Sequence, residues 1–340
     1  MERIVTLGEI MLRLKAPGHE RLLQSPSFEA TFGGSEANVA VSLTHFGMAA
    51  SFVTSLPDNA IGDAALAELR RFGVDVSNVV RSGDRVGIYY LEAGADQRRT
   101  RVVYDRTGSA IAEASPQSFD WAAVFEEADW FHISAITPAL SEQAAALSLE
   151  ACRQARAHGV RISCDFNYRA MLWRYGRAAP EVMSPIVELV DVGIANEDNC
   201  RRSLGIHFDS DRAGAGIDRY EQLAERVIER FPNLETLALT IRETQSADRT
   251  RWSACLRSDG KFVTAPEYQI EDIVDRVGGG DGFAAGLIYG LLRTENRADA
   301  LAFATAAGCL KHSISGDFNR VSAEEVLELV AGDATGIVQR

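Results

Sequence analysis

The chain has 340 residues, of which 46% are hydrophobic and 24% are charged, and its formal net charge at pH 7 is −13. This length allows one large α/β domain or two smaller ones, and it can bury a core without disulfides or metals. Nucleic-acid binders carry a basic surface, so the acidic balance predicts no nucleic-acid partner.

The cysteines and the first residues bear on cellular location. The five cysteines are too scattered to form a CxxC motif. An odd number of scattered cysteines is typical of a cytoplasmic protein with reduced thiols. Residues 1–14 alternate apolar and polar side chains and lack the basic and apolar regions of a signal peptide. No run of about 18 apolar residues occurs, which predicts no membrane span. We therefore expect a cytoplasmic protein without a membrane partner.

Strand-like and helix-like patterns alternate along most of the chain. Repeated β-then-α order predicts a mostly parallel sheet covered by helices on both faces, a three-layer α/β/α fold that we assign to one domain over residues 1–340. The predicted strands are 4–8, 50–54, 130–135, 160–165, 190–195 and 236–240, and the predicted helices are 35–46, 63–72, 141–158 and 284–292.

Two strand patterns, 85–92 and 100–105, break this order because only a turn around Gly94 separates them. Such a pair must be antiparallel. We predict a small β lid that stands off the main sheet, built from about 11–32 and 85–106; the alternative is a pair of edge strands of the main sheet. A solvated loop is predicted at 207–216.

The most informative run is DRVGGGD at residues 275–281, which precedes the apolar helix. Gly278, Gly279 and Gly280 expose backbone amides at a helix start, where a transferring phosphoryl group would be stabilised. Asp281 lies in the first turn, and we expect these donors and the helix dipole to favour its ionised form. It could then accept the proton of an attacking hydroxyl. The alternative is a tight turn in which Asp281 only caps the helix.

Two other nucleotide-binding patterns are missing. The chain has no GxxxxGK[ST] run, so the phosphates are not held as in a P-loop. It also lacks a GxGxxG run after the first strand, which counts against a nicotinamide dehydrogenase.

The run at 275–281 resembles the second signature of the PfkB, or ribokinase-like, carbohydrate kinases, and GGSEANVA at 33–40 resembles the first. The two lie far apart in the expected order, and the resemblance covers nearly the whole chain. It implies the ribokinase-like α/β/α fold with a β lid and transfer of the γ-phosphoryl group of ATP to a sugar, with Asp281 as the base. Mg²⁺ would be bound mainly by the nucleotide phosphates and water.

Within the family the chain is most similar to the 2-keto-3-deoxygluconate kinases, through the segments 8–14, 87–89, 103–106, 136–138 and 165–169. This resemblance implies that arginine holds the carboxylate of the keto acid and that tyrosines line the sugar. Arg106 and Arg169 match the first role and Tyr89 and Tyr104 the second. An arginine fork suits a carboxylate. Surface ion pairs and packing beneath the lid are the ordinary alternatives.

The first signature implies further sugar contacts. Gly33 and Gly34 would let the backbone approach the sugar, and Ser35 and Asn38 would supply a hydroxyl and an amide. The alternative is that Ser35 caps the helix and Asn38 lies on its exposed face.

The resemblance also implies a set of residues around the nucleotide. His312 would border the adenine, although capping the end of its helix is an equally ordinary role. The usual NxxE segment reads NEDN at 196–199, which leaves Glu197 and Asp198 as candidates near Mg²⁺ and no assigned metal ligand. The full nucleotide set is Asn167, Arg169, Asn196, Thr240, Arg242, Gly278, Gly280 and His312.

Other activities remain open at this point. A fructokinase or ribokinase activity is the nearest, and a non-catalytic sugar or nucleotide sensor on the same fold is the rival from another class. The residues do not distinguish the gluconate from the galactonate epimer. A homo-oligomer is expected, with the exposed face of the lid as a candidate contact.

Overall fold

The computed structural model describes residues 2–207 and 216–332, so the loop predicted at 207–216 lies outside the described residues except at its two ends. The strands are β1 (Arg3–Leu7), β2 (Met11–Lys15), β3 (Glu29–Gly33), β4 (Ala49–Val53), β5 (Ser55–Leu56), β6 (Val80–Arg81), β7 (Gly87–Glu92), β8 (Arg101–Asp105), β9 (Trp130–Ser134), β10 (Arg161–Asp165), β11 (Val192–Ala195), β12 (Thr236–Thr244), β13 (Thr250–Ser258), β14 (Lys261–Thr264) and β15 (Tyr268–Ile270). The α-helices are α1 (Ser35–His45), α2 (Ala60–Arg71), α3 (Trp121–Phe125), α4 (Glu142–Ala157), α5 (Ala179–Val187), α6 (Glu197–Ser203), α7 (Asp218–Arg230), α8 (Gly279–Arg293), α9 (Arg297–Lys311) and α10 (Ala323–Ala331).

The main sheet has nine strands in the order β14-β13-β12-β11-β10-β9-β1-β4, with β15 also paired to β13. Every pairing from β12 through to β4 is parallel. One hydrophobic core joins the sheet to α1, α2, α8, α9 and α10, and a second joins its other face to α3 through α7. The predicted three-layer α/β/α fold is confirmed.

The antiparallel edge of this sheet was not predicted. Strands β13, β14 and β15 follow β12 through tight turns and pair antiparallel. The burial of β13 alternates only in part, since Ala254, Cys255 and Leu256 are all buried beneath helices on both faces. A strand that is buried on both faces lacks a strict alternation of apolar and polar residues and gives a weak periodic signal.

The strands predicted for the lid form a separate four-stranded sheet in the order β3-β2-β7-β8. Strands β7 and β8 are antiparallel, as expected, and β2 runs parallel to β7. The alternative of edge strands on the main sheet is therefore wrong. We call this four-stranded sheet the lid. The turn at its tip docks on the turn after β12, where the Ala247 amide donates to the Asp96 carbonyl over 2.8 Å.

Parallel strands bring their carboxyl ends to one edge of a sheet, which is where ligands bind in open α/β folds. Asn167 and Asn196 follow the ends of β10 and β11 there, and Thr240 lies within β12, where its hydroxyl donates to the Ala195 carbonyl at the end of β11. Helix α8 begins at the same edge, and the lid stands opposite. Among the described residues, no helix is both long and apolar enough to cross a membrane.

Candidate active site

A cleft of about 760 Å³ separates the lid from the carboxyl edge of the main sheet. It collects most of the residues singled out in the sequence. Those in its lining are Gly34, Ser35, Asn38, Tyr89, Tyr104, Arg106, Asn167, Arg169, Asn196, Thr240, Arg242, Gly278, Gly280 and Asp281. Gly33, Gly279 and His312 are not part of it.

The glycine run forms the turn into α8, as predicted. Gly278 is the N-cap in the left-handed region, with φ 89°, and a Cβ there would lie 2.2 Å from the Asp317 carbonyl oxygen. A Cβ on Gly280 would meet open space. The turn requires glycine at 278, and the absence of a side chain at 280 leaves the start of the helix open to the cleft. This is a site where an anion can reach amides and the positive end of the helix dipole.

Asp281 is 9% exposed, and its carboxylate is held by two side chains of α1. Asn38 donates to Oδ2 over 2.6 Å and Ser35 to Oδ1 over 3.0 Å. Asn38 is therefore buried and faces the cleft, and the alternative of an exposed Asn38 is wrong. The first signature thus supplies the donors that orient this carboxylate.

The expectation that the helix start favours ionised Asp281 is wrong in direction. Burial raises the pKa of Asp281, and the hydrogen bonds from Asn38 and Ser35 only partly offset it. The sequence showed the donors and the dipole, but the loss of water around the carboxyl group has the larger effect.

Asp165 is a second carboxyl in the cleft that the sequence reading did not assign. It ends β10 and is 8% exposed. Its pKa is raised to about 8, mainly by burial and secondly by the negative charge of the nearby Asp281. Asp165 opens the quoted segment 165–169, so the signal was present, but its burial was not readable from the segment.

The two arginines expected to hold a carboxylate differ in their surroundings. Arg106 is 6% exposed and forms a buried ion pair with Glu9, to which its Nε donates over 2.7 Å. One side of its fork is therefore occupied. Arg169 is exposed and donates to Oδ1 of the Asn167 side chain over 2.6 Å, and its charge acts on both Asp165 and Asp281. Of these two arginines, only Arg169 presents a charge that is not already neutralised by a described carboxylate.

A buried ionic cluster joins the lid to the turn before α8, and the sequence reading missed it. Arg13 of β2 is 1% exposed and forms ion pairs of 2.5 Å with both Asp275 and Asp317. Tyr89 of β7 donates to the same Asp317 oxygen over 2.5 Å. Gly33 belongs here, because a Cβ on it would lie 2.1 Å from the Asp317 carboxylate. Its missing side chain makes room for Asp317.

Positive side chains gather at the other end of the cleft. Arg242 lies over the Trp252 ring at 5.0 Å, and no ion pair joins it to any described carboxylate. The pKa of Arg242 is lowered to about 10, mainly by enclosure between the cleft walls and then by the positive charges of Arg276 and Arg169. Arg276 donates from Nε to the Ala247 carbonyl over 2.6 Å. An anionic ligand would relieve the repulsion among these three arginines.

Residues 196–199 are committed to the protein itself. Asn196 and Asn199 form a capping box at the start of α6. Glu197 pairs with Arg219 at 3.0 Å, and Asp198 pairs with Arg202 at 2.9 Å and also with Arg201. Across residues 2–207 and 216–332, no three His, Cys, Asp or Glu side chains group closely enough to hold a metal ion.

His312 follows α9 and is 1% exposed. Its Nδ1 lies 2.7 Å from the Gly308 carbonyl oxygen, and its ring packs 5.8 Å from Trp252 and directly behind Gly279. Burial lowers its pKa to about 4, so the ring is neutral. The structure therefore separates His312 from the cleft by the glycine turn that it supports.

Comparison with known proteins agrees with this geometry. The family model described as pfkB family carbohydrate kinase matches residues 1–321. A 2-dehydro-3-deoxygalactonokinase from Haloferax volcanii is 33% identical over 336 residues, which cover 98% of each chain. A 2-dehydro-3-deoxygluconokinase from Bacillus subtilis is 26% identical over 328 residues, which cover 95% of this chain and 93% of that protein.

The fold has a similar counterpart among solved structures. The crystal structure of 2-dehydro-3-deoxygluconokinase from Thermotoga maritima is 45% identical, with a TM-score of 0.91, and covers 98% of this chain and all of that one. The family predicted from the two signatures is therefore confirmed. The chain belongs to the pfkB family of carbohydrate kinases.

Proposed function

We propose that the chain transfers the γ-phosphoryl group of ATP to the terminal hydroxyl of 2-keto-3-deoxygluconate, giving 2-keto-3-deoxy-6-phosphogluconate and ADP. The observation that carries this proposal is a juxtaposition. The Asp281 carboxylate, oriented by Asn38 and Ser35, lines the same cleft as the open amides of the glycine turn. A base and an anion site at one helix start are what in-line transfer to an alcohol requires.

The step forms a bond between the acceptor oxygen and the γ-phosphorus and breaks the bond from that phosphorus to the leaving oxygen of ADP. The acceptor proton passes to the Asp281 carboxylate. Because burial raises the pKa of Asp281, its carboxylate is a stronger base than that of an exposed aspartate. The glycine amides would stabilise the charge on the phosphoryl oxygens during transfer.

A keto-deoxy sugar acid is supported by two independent observations. The relatives named above act on such acids by name, one on the galactonate and two on the gluconate compound. Arg169 lines the cleft with its charge directed toward Asp165 and Asp281, where it could accept a substrate carboxylate. A neutral sugar such as fructose or ribose gives this charge no partner.

ATP fits the other end of the cleft, where Thr240, Arg242 and Arg276 lie beside the glycine turn. We assign Mg²⁺ to the nucleotide phosphates and to water, because Glu197 and Asp198 are already paired with arginines. The metal would neutralise charge on the phosphates, and the arginines would hold the nucleotide in place.

The test is an ADP-release screen of the purified protein over keto-deoxy acids of both epimers, hexoses, pentoses and nucleosides. We expect the highest kcat/KM with a keto-deoxy acid. Asp281→Asn keeps the size of the side chain and should lower kcat by about 10²–10⁴-fold. The matched control is Asp272→Asn, an exposed residue outside the cleft.

Three outcomes would reject parts of this proposal. Preference for fructose or ribose, with Arg169→Gln without effect, would reject the acid substrate. Nucleotide and sugar binding without transfer to any compound of the panel would favour a sensor. Full activity of Asp281→Asn would remove the base assignment.

We also propose a homo-oligomer that pairs through the outer face of the lid. The side chains that alternate with the cleft-facing ones are apolar: Leu12, Leu14, Ile88, Tyr90 and Val103. No helix covers them in the described chain, and Val103 is 51% exposed. A second copy is the simplest partner for such a face, because a two-fold axis lets one apolar surface cover itself.

Sedimentation should show a dimer or larger species that Val103→Asp dissociates. The exposed Val330→Asp on α10 is the control, and dissociation by both or by neither would reject this contact. We place the enzyme in the cytoplasm, where ATP is available and where its five free thiols would stay reduced.

A further inference from the structure

The cluster of Arg13, Asp317 and Tyr89 has a consequence for specificity. Arg13 and Tyr89 are direct partners in the register of β2 and β7, so their side chains share one face of the lid. Both reach the same oxygen, Oδ1 of Asp317, at 2.5 Å. Tyr89 and Asp317 belong to the cleft wall.

The charges in this cluster fix where the proton of Tyr89 lies. Arg13 is enclosed and forms ion pairs with the carboxylates of both Asp317 and Asp275. A carboxylate only accepts hydrogen bonds. Burial and the adjacent Asp317 raise the pKa of Tyr89 well above its usual value, so Tyr89 remains a neutral phenol.

A phenol has one proton and lone pairs on the same oxygen. With the proton donated to Asp317, a ligand can meet only the lone pairs. A substrate hydroxyl can donate to them, whereas a ketone, carboxylate or ether oxygen would meet another acceptor. A buried polar group left without a partner strongly disfavours the wrong ligand.

We propose that Asp317 is a specificity-determining positioning residue, which makes Tyr89 a hydrogen-bond acceptor only and so selects one of the two secondary hydroxyls of the sugar acid. This inference rests on the proposed function and goes beyond it by stating which partner donates the hydrogen bond between Tyr89 and the substrate. It also orients the substrate, since the carboxylate and keto oxygens must point away from Tyr89.

The test uses acceptors in which either secondary hydroxyl is replaced by fluorine, which cannot donate a hydrogen bond. We expect kcat/KM of the wild-type enzyme to fall about tenfold or more for one of the two analogues relative to the parent. In Tyr89→Phe this ratio should approach one, because the acceptor is gone. Tyr90→Phe is the matched control on the opposite face of the same strand, and it should keep the wild-type ratio.

Asp317→Asn should also reduce the ratio, because its amide can donate to Tyr89 and turn the phenol proton toward the cleft. Should that variant fail to fold, Tyr89→Phe still decides, since it leaves the pair of Arg13 and Asp317 intact. A purely structural role would lower kcat/KM for parent and analogues alike and leave the ratio unchanged, which would overturn the proposal. Equal rates of the wild-type enzyme on parent and both analogues would overturn it too.

The proposed function and this inference fail separately. If the ADP-release screen identifies a different sugar as the best acceptor, the deoxyfluoro series of that sugar is used. The same ratio then tests Tyr89 and Asp317 whatever the identity of the acid.

Discussion

The arginines at the two ends of the cleft differ in whether carboxylates neutralise them. At the lid end, Arg13 and Arg106 are each at most 6% exposed and are neutralised by Asp275, Asp317 and Glu9. At the other end, Arg242 and Arg276 line the cleft without an ion pair to a described carboxylate. The charge of Arg169 acts both on Arg242 and on the cleft carboxyls Asp165 and Asp281.

The proposed function gives this difference in charge a physical reason. A neutralised, buried cluster holds side chains in fixed positions and offers lone pairs and protons to hydroxyl groups. Neighbouring cations that repel one another favour the binding of an anion, because a bound polyphosphate offsets their repulsion. The proposed function uses this contrast, with the polar sugar at the lid end and the nucleotide at the other end.

The largest expected effect concerns stability at the lid end. Arg13→Met fills a similar volume but removes the ion pairs of the buried Asp275 and Asp317, which keep only the longer-range charge of the buried Lys311. Breaking a buried ion pair in this way destabilises a protein by about 3–5 kcal/mol. Urea unfolding of the variant should show this loss as a lower midpoint.

Lys15→Met is the matched control in the same strand. Lys15 pairs with the half-exposed Glu29 at the surface, and such pairs contribute at most about 1 kcal/mol. If Arg13→Met were as stable as Lys15→Met, the lid end would not depend on its buried charges.

The second effect concerns nucleotide binding at the other end. Arg242→Gln removes a charge that faces the cleft, so KM for ATP should rise about 10–100-fold with a smaller change in KM for the sugar acid. The free energy of unfolding should stay the same or increase, because Arg276 and Arg169 lose a repulsive neighbour.

Arg251→Gln provides the comparison for this variant, since Arg251 lies on the next strand, pairs with Glu243 and Glu267, and is not part of the cleft lining. It should change neither quantity. A loss of stability in Arg242→Gln equal to that of Arg13→Met would erase the contrast between the two ends.

The sequence predicted more of the fold than of the charge arrangement. Strand and helix alternation, the glycine turn and the antiparallel strands of the lid are local patterns, and each is present. Local patterns suffice for these because periodicity and turn residues act over a few positions.

The buried cluster could not be read in this way. Arg13 and Asp317 are 304 positions apart, and Arg13 and Asp275 are 262 apart. Nothing near Arg13 in the sequence shows that its partners lie in two distant loops. Similarly, His312 resembles an exposed cap in the sequence, but the packing of α9 against β13 buries it behind Gly279.

The smallest effect tests the carboxyl pair where the two ends meet. Asp165 keeps its proton in the folded protein up to about pH 8, whereas an ordinary aspartate loses it near 3.8. Between these values folding takes up a proton, so the contribution of Asp165 to stability falls as pH rises. Asp165→Asn has no such proton, so the variant should gain stability relative to wild type as pH increases.

We expect a Tm gain of about 2–4 °C at about pH 8.5 and less at about pH 5, measured by thermal unfolding. Glu36, whose pKa is raised to about 7 by burial, is present in both proteins, so its own titration contributes to both melting curves. Asp272→Asn makes the same chemical change at an exposed site and should show no trend with pH. A gain for Asp165→Asn that does not change with pH would mean that Asp165 is already ionised beside Asp281. The charge of Arg169 would then have to offset the repulsion between the two carboxylates.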